Sequence, residues 1–226
     1  MTQVKEHTIM TKEQLIEKYR DINVDGDWWH ESVYEWFEEQ CEERGVSIVY
    51  RQEKSRSFGG KARSSPEISW SGFWSQGDGA AFAGYIDDVP KALGDRLKDY
   101  PIFNKYITEL NGYFSFRWSI GNGNYIRFNG VEYEDIYLYL DEGEEHPLVD
   151  IWQSELAIEV EQVEIHLRDL ADEMCYLLYK SLEDEYEALT SDEAVWDTIE
   201  ANELDKEMDD GEIQDGSEIH SVAELG

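Results

Sequence analysis

The pattern of apolar and polar positions becomes readable at Thr11-Lys12-Glu13-Gln14. This is a capping-box arrangement and predicts a short helix to about Arg20. A second helix, capped by Asp25 or Asp27, is predicted from the apolar face Trp29, Val33, Trp36/Phe37 and Cys41, with Gly45 as its stop. Val46–Arg51 alternates as a strand, and residues 52–66 read as a mobile basic loop. Ile68–Trp74 and Ala80–Tyr85 read as a hairpin joined by Ser75-Gln76-Gly77-Asp78-Gly79. Val89–Lys98 and Ile102–Leu110 are predicted short helices divided by Pro101. Tyr113–Ile120 and Tyr125–Val131 form a second predicted hairpin about the turn Gly121-Asn122-Gly123-Asn124.

A long helix is predicted from about Ile151 to Ala188. Leu156, Val160, Val163, Leu167, Leu170, Met174 and Leu177 keep a strict 4-3 spacing, and the stripe then shifts to Leu178, Leu182, Tyr186 and Leu189. At 1.5 Å per residue this helix would be roughly 55 Å long. It would overhang a domain of this size, so it is expected to pair with a second copy or to bend near Tyr179. Thr190-Ser191-Asp192-Glu193 predicts a capped final helix to about Asn202. From Asp205 the apolar pattern dissolves, and a disordered tail is expected. The fold class is therefore α+β: a small antiparallel sheet of hairpins covered by helices, with a long acidic C-terminal helix and a final capped helix. The expected divisions are 1–131, an aromatic-rich domain; 132–204, an acidic insertion and helical region; and 205–226, the tail. Trp28, Trp29, Trp70, Phe73, Trp74, Phe82, Phe116 and Trp118 are the expected aromatic core.

Charge changes this picture most. The chain of 226 residues holds 19 Lys/Arg against 52 Asp/Glu, a net of −33. Residues 132–226 hold 32 acidic and 3 basic residues, a net of −29, whereas residues 1–131 carry only −4. Such a surface repels nucleic-acid phosphates and anionic membranes and attracts basic proteins. No run approaches the roughly 18 apolar residues of a membrane span, and the first ten residues lack the pattern of a signal peptide. Cys41 and Cys175 lie in apolar helical patterns and read as reduced, packed thiols. The expected setting is the cytoplasm of a host cell.

Three blocks resemble a family of bacteriophage and mobile-element accessory proteins, some labelled antirestriction-like or antitoxin-like. They are Tyr19-Arg20-Asp21-Ile22-Asn23 with Trp28-Trp29, Ser71-Gly72-Phe73-Trp74-Ser75-Gln76-Gly77-Asp78-Gly79-Ala80, and Leu189-Thr190-Ser191-Asp192-Glu193-Ala194-Val195. The resemblance covers about residues 11–203. Where that family often carries a His on the second hairpin, this chain reads Gly123-Asn124-Tyr125-Ile126-Arg127. The resemblance implies a phage context and supplies no reaction.

Candidate chemistry is sparse. Gln76 and Asp78, the aspartate flanked by Gly77 and Gly79, could form a cation or phosphate loop; the plainer reading is a hairpin turn. His166, Asp169 and Glu173, with Gln162 and Glu159 above them, share one helical face and could supply half a metal site. The plainer reading is a solvated face, because a di-iron helix needs Glu where Val163 stands. His30 reads as surface or cap chemistry. No nucleophile elbow, phosphate-binding loop, zinc pattern or dinucleotide fingerprint is present. No catalytic residue, metal or cofactor is therefore assigned. The expected partner-binding residues are Glu142, Glu144, Glu145, Glu155, Glu159, Asp169, Asp172, Glu173 and Asp184. The function expected from charge and resemblance is inhibition, without catalysis, of a basic nucleic-acid-binding defence protein of restriction or CRISPR type, by imitation of DNA. Two alternatives stand beside it: an antitoxin-like homodimer formed through the long helix, and a carboxylate-based metal hydrolase.

Overall fold

The computed structural model describes residues 10–26, 28–53, 63–75, 77–110, 114–120, 131–133, 137–138 and 156–207. The predicted turn at 121–124, the strand from Tyr125 to residue 130, the acidic stretch 139–150 and the tail beyond Glu207 lie outside these residues. The architecture is α+β. It divides into two compact units: residues 1–29 with 186–226, and residues 30–185.

In the first unit, α1 (Lys12–Lys18) starts as predicted. Thr11 accepts from the Gln14 N–H, and the Gln14 side chain accepts from the Thr11 N–H. Leu15 and Ile16 pack with Val195 and Ile199 of α6 (Asp192–Ala201). The cap of α6 is Ser191, which accepts from the Ala194 N–H, while the Thr190 hydroxyl turns back to the Tyr186 carbonyl. A 3₁₀ turn (Leu204–Glu207) continues past Asp205, where disorder was expected.

The second unit opens with α2 (Glu31–Glu43). The cap position belongs to His30, whose side chain makes no capping bond; Asp25 lies in a bend upstream, and Asp27 is not among the described residues. His30 stacks instead on Tyr34, centroids 4.6 Å apart. Gly45 ends the helix as predicted, at φ +73°.

The sheet differs from two independent hairpins. Three chain segments each cross from one partner to another. β1 (Ser47–Ile48) pairs with β6 (Gly84–Ile86); β2 (Tyr50–Glu53) pairs with β3 (Arg63–Pro66); β4 (Ile68–Ser71) pairs with β5 (Gly79–Phe82); all are antiparallel. The crossing points are Val49, Glu67 and Ala83. The Val49 N–H donates to the Ala83 carbonyl at 2.9 Å, Ala83 donates to Glu67 at 2.9 Å, and Glu67 donates to Val49 at 2.8 Å. The predicted strand Val46–Arg51 is thus split at Val49. The predicted basic loop is partly strand, since Gln52, Glu53 and Arg63–Pro66 belong to the β2–β3 ladder.

The first predicted helix after the sheet tightens partway. α3 (Val89–Leu93) gives way at Gly94, φ +52°, to a 3₁₀ turn (Gly94–Asp99), and α4 (Pro101–Leu110) follows. β7 (Phe114–Ile120) extends the sheet by pairing with β6 on one side. β8 (Val131–Tyr133) and β9 (Tyr137–Leu138) pair with it as well, so the stretch expected as an acidic insertion begins inside the sheet.

The long helix is α5 (Ala157–Leu189), about 50 Å long at 1.5 Å per residue. Its buried line runs Val160, Val163, Leu167, Ala171, Met174, Leu178, Leu182. Beyond Leu167 the heptad positions Leu170 and Leu177 are only half-buried, and Ala171 and Leu178 replace them. A straight helix drifts off a 3.5-residue repeat in this direction. The stripe is covered by its own chain, so it is not available for the pairing with a second copy that the spacing suggested.

Phe82 sits at the core of this unit, edge-on to Phe37 of α2 (5.1 Å) and to Trp118 of β7 (5.3 Å). Cys41 and Cys175 are buried free thiols. Burial pushes both thiol pKa values up, Cys175 to about 12, which keeps them protonated at neutral pH. Of the expected aromatic core, Trp29, Phe73, Phe82, Phe116 and Trp118 are buried and Trp70 is half-buried. Trp28 and Trp74 are not core; they are 57% and 77% exposed.

Gly84 lies where β1, β6 and β7 meet. A Cβ there would press into the Trp118 indole and sit 2.9 Å from the Phe82 ring. Gly84→Ala is therefore expected to cost roughly 1–3 kcal/mol by overpacking. Urea unfolding followed by tryptophan fluorescence measures it, and an unchanged midpoint would show that the sheet can move aside.

Candidate functional site

Among the described residues of the second unit, α5 presents a long outward face. At 100° per residue, Ile158, Ile165, Asp169 and Tyr176 fall within about 20° of one line along the helix. All four are exposed, and the line is diametrically opposite the buried one. Asp172 and Glu173 flank it, and Glu161 lies one turn before Ile165. From Ala157 to Leu189 the helix carries ten acidic residues and two basic ones, Arg168 and Lys180. Arg168 pairs with Glu164. Lys180 pairs with Glu183 at 2.5 Å and with Asp184 at 3.3 Å. The hydrogen bond to Glu183, followed by that to Asp184, raises the Lys180 pKa, so the ammonium stays charged.

The expected partner-binding residues therefore separate. Asp169 and Glu173 are exposed on the outward face with Asp172 half-exposed beside them, and Asp184 is exposed but shares Lys180. Glu142, Glu144, Glu145 and Glu155 lie outside the described residues. Glu159 has a different task. Its Oε2 accepts from the Phe103 N–H at 2.7 Å, in the first turn of α4. The first N–H groups of a helix have no partner within it, and Pro101 at the first position has no N–H to donate. Glu159 thus caps a neighbouring helix, which removes it from any free acidic surface.

His166 is also engaged. Its Nδ1 shares a hydrogen bond with the Tyr100 hydroxyl and lies 3.1 Å from the Gln162 carbonyl. Among the described residues no three His, Cys, Asp or Glu side chains are placed to share a metal ion. The half-site suggested by His166, Asp169 and Glu173 is not completed there.

The block at 71–80 is explained by its turn. Asp78 Oδ2 accepts from the N–H groups of Trp74 (2.7 Å) and Ser75 (2.5 Å), and Oδ1 accepts from the Ser75 hydroxyl (2.8 Å). These bonds, chiefly those from Ser75, hold the Asp78 pKa below its ordinary value. Gly72, at φ +33°, makes room for that carboxylate, because a Cβ there would lie 2.8 Å from Oδ2. Phe73 packs under the turn, stacked on Trp70 at 5.4 Å and 5.7 Å from Tyr179 of α5. A carboxylate so occupied is a turn clamp. Gln76, its expected companion in an ion loop, is outside the described residues.

Sequence reasoning missed a second clamp, in the first unit. Arg20 donates to the Thr190 carbonyl (3.1 Å) and to Asp192 (2.5 Å). The Asn23 amide donates to the carbonyls of Leu189 (2.9 Å) and Ala194 (3.2 Å), and its oxygen accepts from the Thr198 hydroxyl (2.8 Å). The blocks at 19–23 and 189–195 are thus the two halves of one hydrogen-bonded joint. They lie about 170 positions apart, and no local pattern links them.

Residues 29–192 match the family model described as Domain of unknown function (DUF8835). The chain belongs to this family. No curated protein and no solved structure matches it. No helix among the described residues is long and apolar enough to cross a membrane.

Asn23→Ala removes a donor from the part-buried carbonyls of Leu189 and Ala194 and an acceptor from the Thr198 hydroxyl, and is expected to destabilise the first unit by roughly 1–3 kcal/mol. Amide exchange of α6 measures this, and unchanged protection would reject the joint. For Asp78 the depressed pKa sets the sign: its stabilisation is complete above about pH 4, near the unfolded carboxylate value, and is lost as pH falls through the lower folded value. Asp78→Asn should expose the Trp74 and Ser75 amides to exchange at pH 7 and flatten that acid dependence. A calcium- or magnesium-dependent protection in the unaltered chain would instead restore the ion-loop reading.

Proposed function

We propose that this protein is a non-enzymatic, phage-type accessory protein that inhibits a basic, nucleic-acid-binding host defence protein by presenting the outward face of α5 to it. The observation that carries the reading is the composition of that face. Asp169, Asp172 and Glu173 are grouped around exposed Ile165 and Tyr176 on a helix fixed by its opposite side. A face that only kept the chain soluble would not need the apolar members. Interfaces join an apolar or aromatic centre to a charged rim, and the rim steers encounter with an oppositely charged partner.

Imitation of duplex DNA is only partial on this helix. Glu161, Asp169, Asp172 and Glu173 span about 18 Å, whereas a duplex carries a charge about every 1.7 Å. The apolar members must supply part of the affinity. The same acidity weighs against the antitoxin-like homodimer, since two copies of the face would set carboxylates against carboxylates. The hydrolase alternative gains no support from the clamped Asp78 or the capping Glu159.

The test is capture from host lysate at moderate salt with the full chain, identification of the captured proteins, and displacement with duplex DNA. Recovered proteins are expected to be basic and nucleic-acid-binding and to be released by the duplex. The double variant Asp169→Lys with Glu173→Lys should reduce recovery at least about tenfold, as loss of close charge pairs does. Undiminished capture by that variant, or capture indifferent to DNA, defeats the proposal. Glu159 is left intact so that the variant keeps the cap on α4.

A further inference from the structure

Away from the outward line of α5, the second unit holds a groove of about 420 Å³ between α2 and α5. Ser32, Val33 and Trp36 line it from α2, and Ser181, Asp184 and Glu185 line it from α5. The spacing explains why these side chains meet. Residues three and four apart share a helical face, so each helix contributes one short row. Val33 is buried and forms the floor; Trp36 is 39% exposed and forms an aromatic wall. The opposite wall carries two carboxylates.

The chemistry of these walls selects a cation, and its shape selects a flat one. An indole face attracts a guanidinium or ammonium group, arginine more often than lysine. A planar guanidinium can stack on the ring and still direct N–H donors in its own plane to carboxylates, which a compact ammonium cannot do. The acceptors remain usable. Lys180 lies nearer Glu183 (2.5 Å) than Asp184 (3.3 Å), which leaves lone pairs on the Asp184 carboxylate. The Ser181 hydroxyl donates to the Leu177 carbonyl at 2.9 Å, so its oxygen can accept. The apolar floor suits the methylene stem of a long basic side chain.

We propose that this groove is a binding site for an arginine side chain presented by the basic partner, its guanidinium stacked on Trp36 and hydrogen-bonded to Asp184 and Glu185. The assignment rests on the partner reading above and adds to it a side-chain preference that net charge cannot provide. A purely electrostatic surface would take lysine and arginine alike.

The experiment uses the full-length chain and two blocked eight-residue peptides of equal charge, one of arginine and one of lysine. Binding is followed through the indole N–H resonance of Trp36, assigned with Trp36→Phe. The arginine peptide is expected to bind about fivefold more tightly, the size of a partly desolvated cation–π contact, and to shift that resonance. Trp36→Leu should abolish the arginine preference, weakening the arginine peptide more than the lysine peptide. Trp36→Phe, which keeps a weaker aromatic wall, should fall between. Asp184→Asn with Glu185→Gln should weaken the arginine peptide more than the lysine peptide. Equal affinities for the two peptides in the unaltered chain, or a Trp36 resonance that does not move, overturn the proposal. The two readings fail separately. Lost arginine preference with capture still dependent on Asp169 and Glu173 removes only the groove. Capture indifferent to those residues, with arginine preference intact, removes only the helix-face reading.

Discussion

Three backbone segments meet at Val49, Glu67 and Ala83, and each passes its N–H to the next carbonyl in a closed ring. A strand that leaves one partner to join another would otherwise bury polar backbone groups with nothing to bond. An unsatisfied group of that kind costs about 1–3 kcal/mol, and buried backbone groups are almost always paired. The ring satisfies three N–H groups and three carbonyls at the point of greatest exposure to this penalty. Much of the second unit follows from it. It fixes the β4–β5 hairpin that carries Phe73 and Trp74 and sets Phe82 between α2 and β7. It also carries β6 on to pair with β7. The run Gly79-Ala80-Ala81-Phe82-Ala83-Gly84 is buried throughout. Its small side chains let elements approach from both sides of the strand, with Phe82 as the single large filler.

Legibility in the sequence followed the distance over which each interaction acts. The Thr11 capping box, the Gly45 stop and the 75–79 turn are decided within a few residues, and each could be read directly. The amphipathic character of α5 was also legible. The heptad reading failed beyond Leu167, because seven-residue spacing matches a straight helix only over a few turns. The junction was not legible. Val46–Arg51 alternates as one strand would, and nothing in that alternation shows that its ladder partner changes at Val49. Composition misled at Trp28 and Trp74, where large aromatic rings suggested core. A tryptophan on the tip of a clamped turn is held outward by backbone geometry, whatever its hydrophobicity.

The candidate site was legible as a charge and not as a set of residues. Counting carboxylates located the acidic half of the chain but could not tell which of them were already occupied. Glu159 caps α4 from 56 residues away, and Glu38 accepts from the Tyr50 hydroxyl at 2.5 Å. Burial, with that hydrogen bond second, pushes the Tyr50 pKa up to about 12. Asp78 clamps its turn and Asp88 caps α3. These carboxylates are part of the fold. On the outward face of α5, Asp169 and Glu173 are the exposed members of the expected set.

The scarce basic residues follow a complementary rule. The last four carbonyls of a helix have no partner within it, and its C-terminus carries partial negative charge. α2 and α5 both end without a basic residue in the last turn. α5 instead has Glu183, Asp184, Glu185 and Glu187 near its end, which is unfavourable for its dipole. At α2 the cap residue Arg44 itself donates to the Gln40 carbonyl at 2.9 Å, and further donors come from elsewhere in the chain. Lys91 donates to the Glu42 carbonyl at 2.6 Å, just inside the end of α2, and Arg20 donates to the Thr190 carbonyl just past α5. Asn23 adds a neutral donor at Leu189. Lys91 is thus held at the end of α2 and Arg20 at the end of α5, and neither offsets the carboxylates on the outward face of α5. Placed along that face, two cations would have offset half of the charge of Glu161, Asp169, Asp172 and Glu173, and the end of α5 would have lost the Arg20 donor. The observed placement stabilises the helix end and leaves the face charged, which is the arrangement a partner of opposite charge requires.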